Sequence, residues 1–355
     1  MGETAMKGKW KWTLLLAEVT GLLLGAVSCT EAAEPCRGIL YRVTGGKNEM
    51  MILGSIHVGN ERMSRFGDAL QQALKEADCF VFECDTASQE AQAVIAEMMA
   101  AEQPLGEVLS AETYALLEQT AQKCGIAMDR LKRLRSWAVT SALSSQAAAA
   151  ELGTGSARSA LRQGVEERVQ KYIGKKPVHY LETAREQLEI MDGFSPALQD
   201  AMVRSICQQI LYPEETGSTL SQWPEWWAEG EMEPFVQAYE AENDFAEQAL
   251  TEEYHQGLIT RRNRRMAEGL RALLEDGEGE KIFVTVGLLH LVLPEDKHVP
   301  LILDDALLTF DDDRLHAALD YLLEESEKRQ ILLFTCQKRE GAYLNGHKNV
   351  TLLAI

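Results

Sequence analysis

Two apolar runs, far apart in the chain, end in the same way, and this echo limits the possible folds more than any other feature. Residues 50–57 read Met-Met-Ile-Leu-Gly-Ser-Ile-His, and residues 282–290 read Ile-Phe-Val-Thr-Val-Gly-Leu-Leu-His. A short apolar run bounded by glycine reads as a buried strand. The glycine lets the chain turn off the strand end. His57 and His290 are then displayed at the carboxyl edge of a sheet, where open α/β folds place their ligands. With 26 Gly and 7 His in 355 residues, chance alone supplies about 0.5 Gly-x-x-His matches. The repeated strand context is what gives the pair its weight.

A third run, Cys79-Phe80-Val81-Phe82-Glu83-Cys84-Asp85, carries a carboxylate where an apolar residue is expected. Burying an ionised carboxylate is costly unless it is paired or ligates a metal. His57, His290 and Glu83, each at a strand end, therefore form a candidate divalent-metal site. The plainer expectation is two hydrogen-bonded histidines and a glutamate solvated at the rim.

The remaining pattern fills in an α/β chain. Residues 38–43 read as a strand and 45–48 as a hairpin turn. Residues 64–77 have helical spacing, and 88–272 are mostly helical, with a break at 153–156. Residues 176–182 read as a strand ending in Glu182. That glutamate either faces the site or caps the following helix. Trp223, Trp226 and Trp227 form either a groove lip or a helix-packing cluster. Arg262 and Asn263 fall in the one concentrated basic run, Arg261 to Arg265. A guanidinium there suits a substrate carboxylate, or orients Glu83.

Gly54-Ser55-Ile56-His57, Phe82-Glu83, the segment Leu181-Glu182-Thr183-Ala184-Arg185-Glu186-Gln187, Arg262-Asn263 with Met266-Ala267, and Gly287-Leu288-Leu289-His290 occur in one order. In these motifs and their order the chain resembles the TraB/GumN family, over roughly residues 37–292. Gly164-Val165-Glu166 resembles that family's Gly-x-Asp segment, with Glu166 in place of Asp. Leu289 departs from the pattern, which usually has Gly or Ala before the second histidine.

The family includes the Tiki-type metalloproteases. The resemblance thus implies a central mixed β-sheet with a large helical middle section and a metal-dependent, peptidase-like hydrolase acting on a peptide or protein. His57, His290 and Glu83 would hold the ion, with Glu83 a ligand or the general base. Arg262, Asn263 and Glu182 would complete the catalytic set, the first two by binding substrate or stabilising developing negative charge. The alternative is a non-catalytic peptide-binding module outside the cytoplasm.

A net charge of -20 argues against nucleic acid as the main partner. Seven scattered cysteines without a Cys-x-x-Cys pair exclude a zinc ribbon and a dense disulfide framework. Cys79 and Cys84 read as core residues. Lys7, Lys9 and Lys11 precede an apolar stretch ending Ala26-Val27-Ser28-Cys29. This reads as an export signal over residues 1–29, with Cys29 resembling the lipidated cysteine of a bacterial lipobox. Residues 30–37 would be a tether, and the protein a membrane-anchored lipoprotein of the cell envelope.

The tail, residues 293–355, follows another pattern. An apolar strand ending in Asp304-Asp305, a helix, and the strand Gln330 to Gln337 resemble the C-terminal Walker B, D-loop and switch segment of SbcC/RecF-like ABC ATPases. No Gly-x-x-x-x-Gly-Lys-Ser/Thr loop occurs in the chain, so these aspartates have no phosphate cradle to serve. As structure, a strand–helix–strand unit is expected to add to the edge of the main sheet.

Overall fold

The computed structural model describes residues 34–243, 245–293, 301–304, 307, 310–326, 331–335 and 337–352. The export segment, Cys29 and Asp305 lie outside the described residues. A five-stranded sheet is built from β1 (Ile39–Val43), β2 (Glu49–Ser55), β3 (Cys79–Cys84), β4 (Val178–Glu182) and β5 (Lys281–Gly287). The strand order is β1-β2-β5-β3-β4. β1 runs antiparallel to β2, and the pairs β2–β5, β5–β3 and β3–β4 are parallel. The two Gly-x-x-His strands are therefore neighbours, with Ser55 opposite Gly287.

Parallel strands are buried on both faces, which is why β3 and β5 read as continuous apolar runs. Phe80, Phe82, Phe283 and Leu53 pack on one face with Leu70, Leu74, Val165 and Trp227. Val81, Ile282, Val284 and Val286 pack on the other with Met266 from the helix Arg261–Glu275. The helices Ala111–Cys124, Ser136–Glu151 and Pro196–Leu211 enclose a third core around Leu117, Leu143 and Val203. No described helix is long and apolar enough to cross a membrane.

Two expectations need correction. Residues 35–37 are not a free tether. Cys36 is fully buried and bridges to Phe66, and the Arg37 amide donates to the Ala228 carbonyl at 2.7 Å. Cys36 is small and apolar enough to be absorbed by the core, so the packed body begins before β1. The tail also does not extend the main sheet. β6 (Leu301–Asp304) pairs in parallel with β7 (Ile331–Phe334) in a separate two-stranded sheet. Leu307, Leu315 and Leu319 form a small core there with Phe310, Leu333 and Tyr343. Among the described residues β6 already has a partner in β7, and the edges of the main sheet remain β1 and β4.

Candidate functional site

The side-chain alternation of β3 turns Phe80 and Phe82 to one face and Val81 and Glu83 to the other. Glu83 therefore ends its strand beside the helix Arg261–Glu275. Its Oε1 accepts from the Gly287 amide at the end of β5, and its Oε2 accepts from Arg262 Nη2 at 2.6 Å. Glu182 ends β4 with its side chain fully buried. It accepts from Arg262 Nη2 and Nε at 2.8 and 3.0 Å, and from Arg265. Gln187 Nε2 donates to both carboxylates, at 3.2 Å to Glu83 and 3.0 Å to Glu182.

Glu182 is free for this role because Thr183 caps the next helix. The Thr183 hydroxyl accepts from the Glu186 amide, and the Glu186 carboxylate accepts from the Thr183 amide. That reciprocal capping box leaves the preceding carboxylate unspent. The sequence had left facing the site and capping equally open for Glu182, and the structure places it in the site. Burial pushes the Glu83 carboxyl upward, but Arg262 first, then the two histidines and the Gly287 amide, outweigh it and hold the group down at about 2.

The two histidines are held in the same manner from different layers. His290 Nδ1 lies 2.7 Å from Asn263 Oδ1, so Nδ1 carries the hydrogen and the amide oxygen accepts it. His290 Nε2 stands 3.8 Å from Glu83 Oε1. Burial lowers this imidazole to about 4, which keeps it neutral. His57 Nδ1 lies 2.6 Å from Glu166 Oε1, which also accepts from Ser55 Oγ at 2.7 Å. The Glu166 charge raises His57 to about 9 against the cost of burial. The ring is 70% exposed by area and lines the cleft, so its charge is set by the Glu166 contact more than by burial. Glu166 is pushed up by burial but held lower overall by His57.

A π-helical turn at Gln256–Thr260 leads directly into the helix Arg261–Glu275. Such turns recur at functional sites because they shift the register of the side chains that follow. Here Arg262 reaches the two carboxylates while its neighbour Asn263 reaches His290. The cleft above the site has a volume of about 950 Å³ and takes in His57, Glu83, Glu166, Arg262 and Leu289.

Each imidazole has its Nδ1 held by another side chain and makes no hydrogen bond through Nε2 among the described residues. Partners outside the coordination shell orient metal-ligating histidines in this way. This donor chemistry fits a divalent ion. Glu83 fits less openly, because Arg262 and Gln187 already engage its Oε2. Among the described residues no group of three or more His, Cys, Asp or Glu side chains is arranged to hold a metal ion. The structure brings His290 and Glu83 side by side and adds His57 at the same sheet edge, but the three do not form a closed ligand set.

Sequence reasoning missed Glu166, Gln187 and Arg265 as site residues. The Gly164-Val165-Glu166 segment and the run through Gln187 held signals for the first two. The tryptophans divide their roles: Trp227 is buried and donates to the Gly54 carbonyl at 2.7 Å, while Trp223 lines the cleft. Cys79 is buried, whereas Cys84 is half-buried, lines the cleft and donates to Gln187 Oε1 at 3.1 Å.

A mixed sheet with its polar residues gathered at the carboxyl ends of the parallel strands defines an α/β protein of the strand-edge type. The chain matches the model of the TraB/PrgY/gumN family over residues 39–298, and it belongs to that family. No curated protein and no solved structure matches it.

Proposed function

We propose that this protein is a metal-dependent hydrolase acting on peptides or proteins. The observation that carries the reading is the common posture of the two histidines: Nδ1 tied to Asn263 or Glu166, Nε2 unengaged, with Glu83 on β3, the next strand beyond the one that leads to His290. His57, His290 and Glu83 are the residues that would hold the ion. A divalent ion bound there supplies water activation and carbonyl polarisation.

The chain's own residues have separable tasks. Asn263 fixes the tautomer of His290, and Glu166 fixes the ring of His57. Arg262 is committed to Glu83 and Glu182, so it acts as a clamp that positions Glu83 rather than as an open substrate hook. Glu182 anchors that clamp. A second reading, a peptide-binding module without catalysis, is favoured by one observation: the engagement of Glu83 Oε2 by Arg262 and Gln187.

The test is metal analysis of the purified protein together with peptide hydrolysis before chelation, after chelation and after re-addition of single divalent ions. Activity that returns with one ion, and that His290→Ala and His57→Ala each abolish, supports the hydrolase. A folded protein that binds peptide and cleaves none with any ion establishes the module instead. For location, the lysine-led segment and Cys29 support a lipid anchor on the outer side of a membrane. Membrane retention that persists with normal processing in Cys29→Ser counts against that anchor.

A further inference from the structure

The cleft does not end at the histidines. It continues to a second end walled by Trp223, Tyr239, Phe245 and Tyr254, with the carboxylate of Glu242 among the rings. Tyr239 and Tyr254 lie 6.4 Å apart between ring centroids, and Phe245 and Tyr254 lie 5.6 Å apart edge to face. Glu242 is held in place by a relay. The Trp223 indole N–H donates to Thr219 Oγ1 at 3.2 Å, and the Thr219 hydroxyl donates to Glu242 Oε1 at 3.3 Å. Burial, with Glu151 nearby, raises the Glu242 carboxyl above its usual range. That rise marks a half-buried carboxylate lacking charge compensation. Among the described residues, no Lys or Arg pairs with it.

The cleft as a whole is rich in carboxylates, of which Glu83 is paired with Arg262 and Glu166 with His57. Glu83, Asp85, Glu151, Glu166, Glu167 and Glu242 line it, whereas Arg262 is the one lysine or arginine among the described lining residues. Arg262 is already spent on Glu83 and Glu182. Aromatic faces attract organic cations, and a desolvated carboxylate beside them gains most from a positive partner. Neutral apolar groups would fit the rings but leave Glu242 without compensation.

We infer that this aromatic end is a subsite for a cationic side chain, lysine or arginine, of a peptide whose backbone crosses the cleft toward His57 and Glu83. The inference rests on the reading of the cleft as a peptide site. The stem of such a residue would pack against the rings while its charged head reaches Glu242. Leu289, which lines the cleft and packs toward Tyr239, connects the two ends.

The test separates binding from cleavage. Acetylated, amidated pentapeptides, Ala-Ala-Xaa-Ala-Ala, are titrated by calorimetry into the full chain after chelation, with Xaa as arginine, citrulline or norleucine. Citrulline preserves the shape of arginine and removes its charge. The arginine peptide is expected to bind at least about tenfold more tightly than the citrulline peptide, in line with hydrogen bonds to charged groups. Glu242→Gln should erase that difference and leave norleucine binding unchanged. Trp223→Phe keeps a ring but cuts the relay, and it should erase part of the difference even if Glu242→Gln folds poorly. Equal binding of arginine and citrulline, no binding of the arginine peptide at millimolar concentration, or a preference that survives Glu242→Gln overturns the subsite. Preference without cleavage under any divalent ion upholds the subsite and defeats the hydrolase. Cleavage without preference does the reverse.

Discussion

At the scale of single residues, Arg262 has the most demanding position. Its fork joins two carboxylates that end neighbouring strands, and its side chain is 11% exposed. Breaking a buried pair by removing one partner leaves uncompensated charge, which costs about 3–5 kcal/mol. Arg262→Leu is therefore expected to lower stability by about that amount in a denaturant titration. Arg265 would soften the loss only at Glu182, since it does not reach Glu83. Arg262→Lys keeps the charge but not the fork, and it should fall between the two. Wild-type stability in Arg262→Leu would mean that the clamp contributes nothing net.

His57 provides the matching pH prediction. Its pKa in the fold, about 9, lies above the usual value near 6.5, and the first cause is Glu166. A raised imidazole stabilises fully below about pH 6.5, and this contribution disappears as pH climbs through about 9. In chelator-treated protein, the ring proton resonances of His57 should titrate near 9 in the wild type. In Glu166→Gln they should return toward the ordinary range. His290, kept neutral by burial, should show no titration between pH 6 and 9.

At the scale of elements, glycines decide how closely the site can be assembled. A Cβ on Gly54 would meet Leu288 Cδ1 at 2.6 Å and Leu288 Cα at 3.3 Å, so the chain leaving β5 crosses β2 only where β2 lacks a side chain. A Cβ on Gly164 would lie 2.2 Å from the His57 carbonyl oxygen. That glycine has φ of -62°, an ordinary value, so space rather than backbone strain requires it. The obstacle is backbone, which cannot swing away as a flexible side chain can. Gly164→Ala should cost about 1–3 kcal/mol, the range for inserting a methyl into a packed region. It should also separate His57 from Glu166, seen as a fall of the His57 pKa toward that of Glu166→Gln. A destabilised protein with an unmoved His57 titration would show that the clash is relieved elsewhere.

Elements of this kind were readable where the signal is local. The strand alternation and glycine bounds placed β2, β3 and β5, and hence the common edge of His57, Glu83 and His290. The partners were not readable, because they depend on contacts with no sequence period. Glu166 reaches Ser55 across 111 residues, and Arg262 reaches Glu83 across 179. The role of Glu182 turned on its neighbour: Thr183 and Glu186 satisfied the helix start, and only then was the carboxylate left for Arg262.

At the scale of the whole molecule, the question is whether the tail takes part in the site. The family match ends at residue 298, and the tail strands pair with each other rather than with the five-stranded sheet among the described residues. The tail also carries its own small core, whose contributors among the described residues lie between Leu307 and Leu344. The sequence suggested an ATPase segment there, but it holds no phosphate loop that the tail's aspartates could serve. Sequence alone suggested an added edge strand, since a strand–helix–strand unit reads alike whether it joins a larger sheet or closes on itself. A chain ending after residue 298 should therefore keep the body's thermal transition to within a few degrees, because about 1 kcal/mol shifts the midpoint of a domain this size by roughly 2–4 °C. It should also retain peptide binding and any metal-dependent cleavage per folded molecule. Asp304→Asn combined with Asp305→Asn in the full chain should be equally silent. Loss of the body's transition on truncation would show instead that the tail completes the fold around His290. Activity that depends on ATP and vanishes in the double aspartate variant would move the function into the tail.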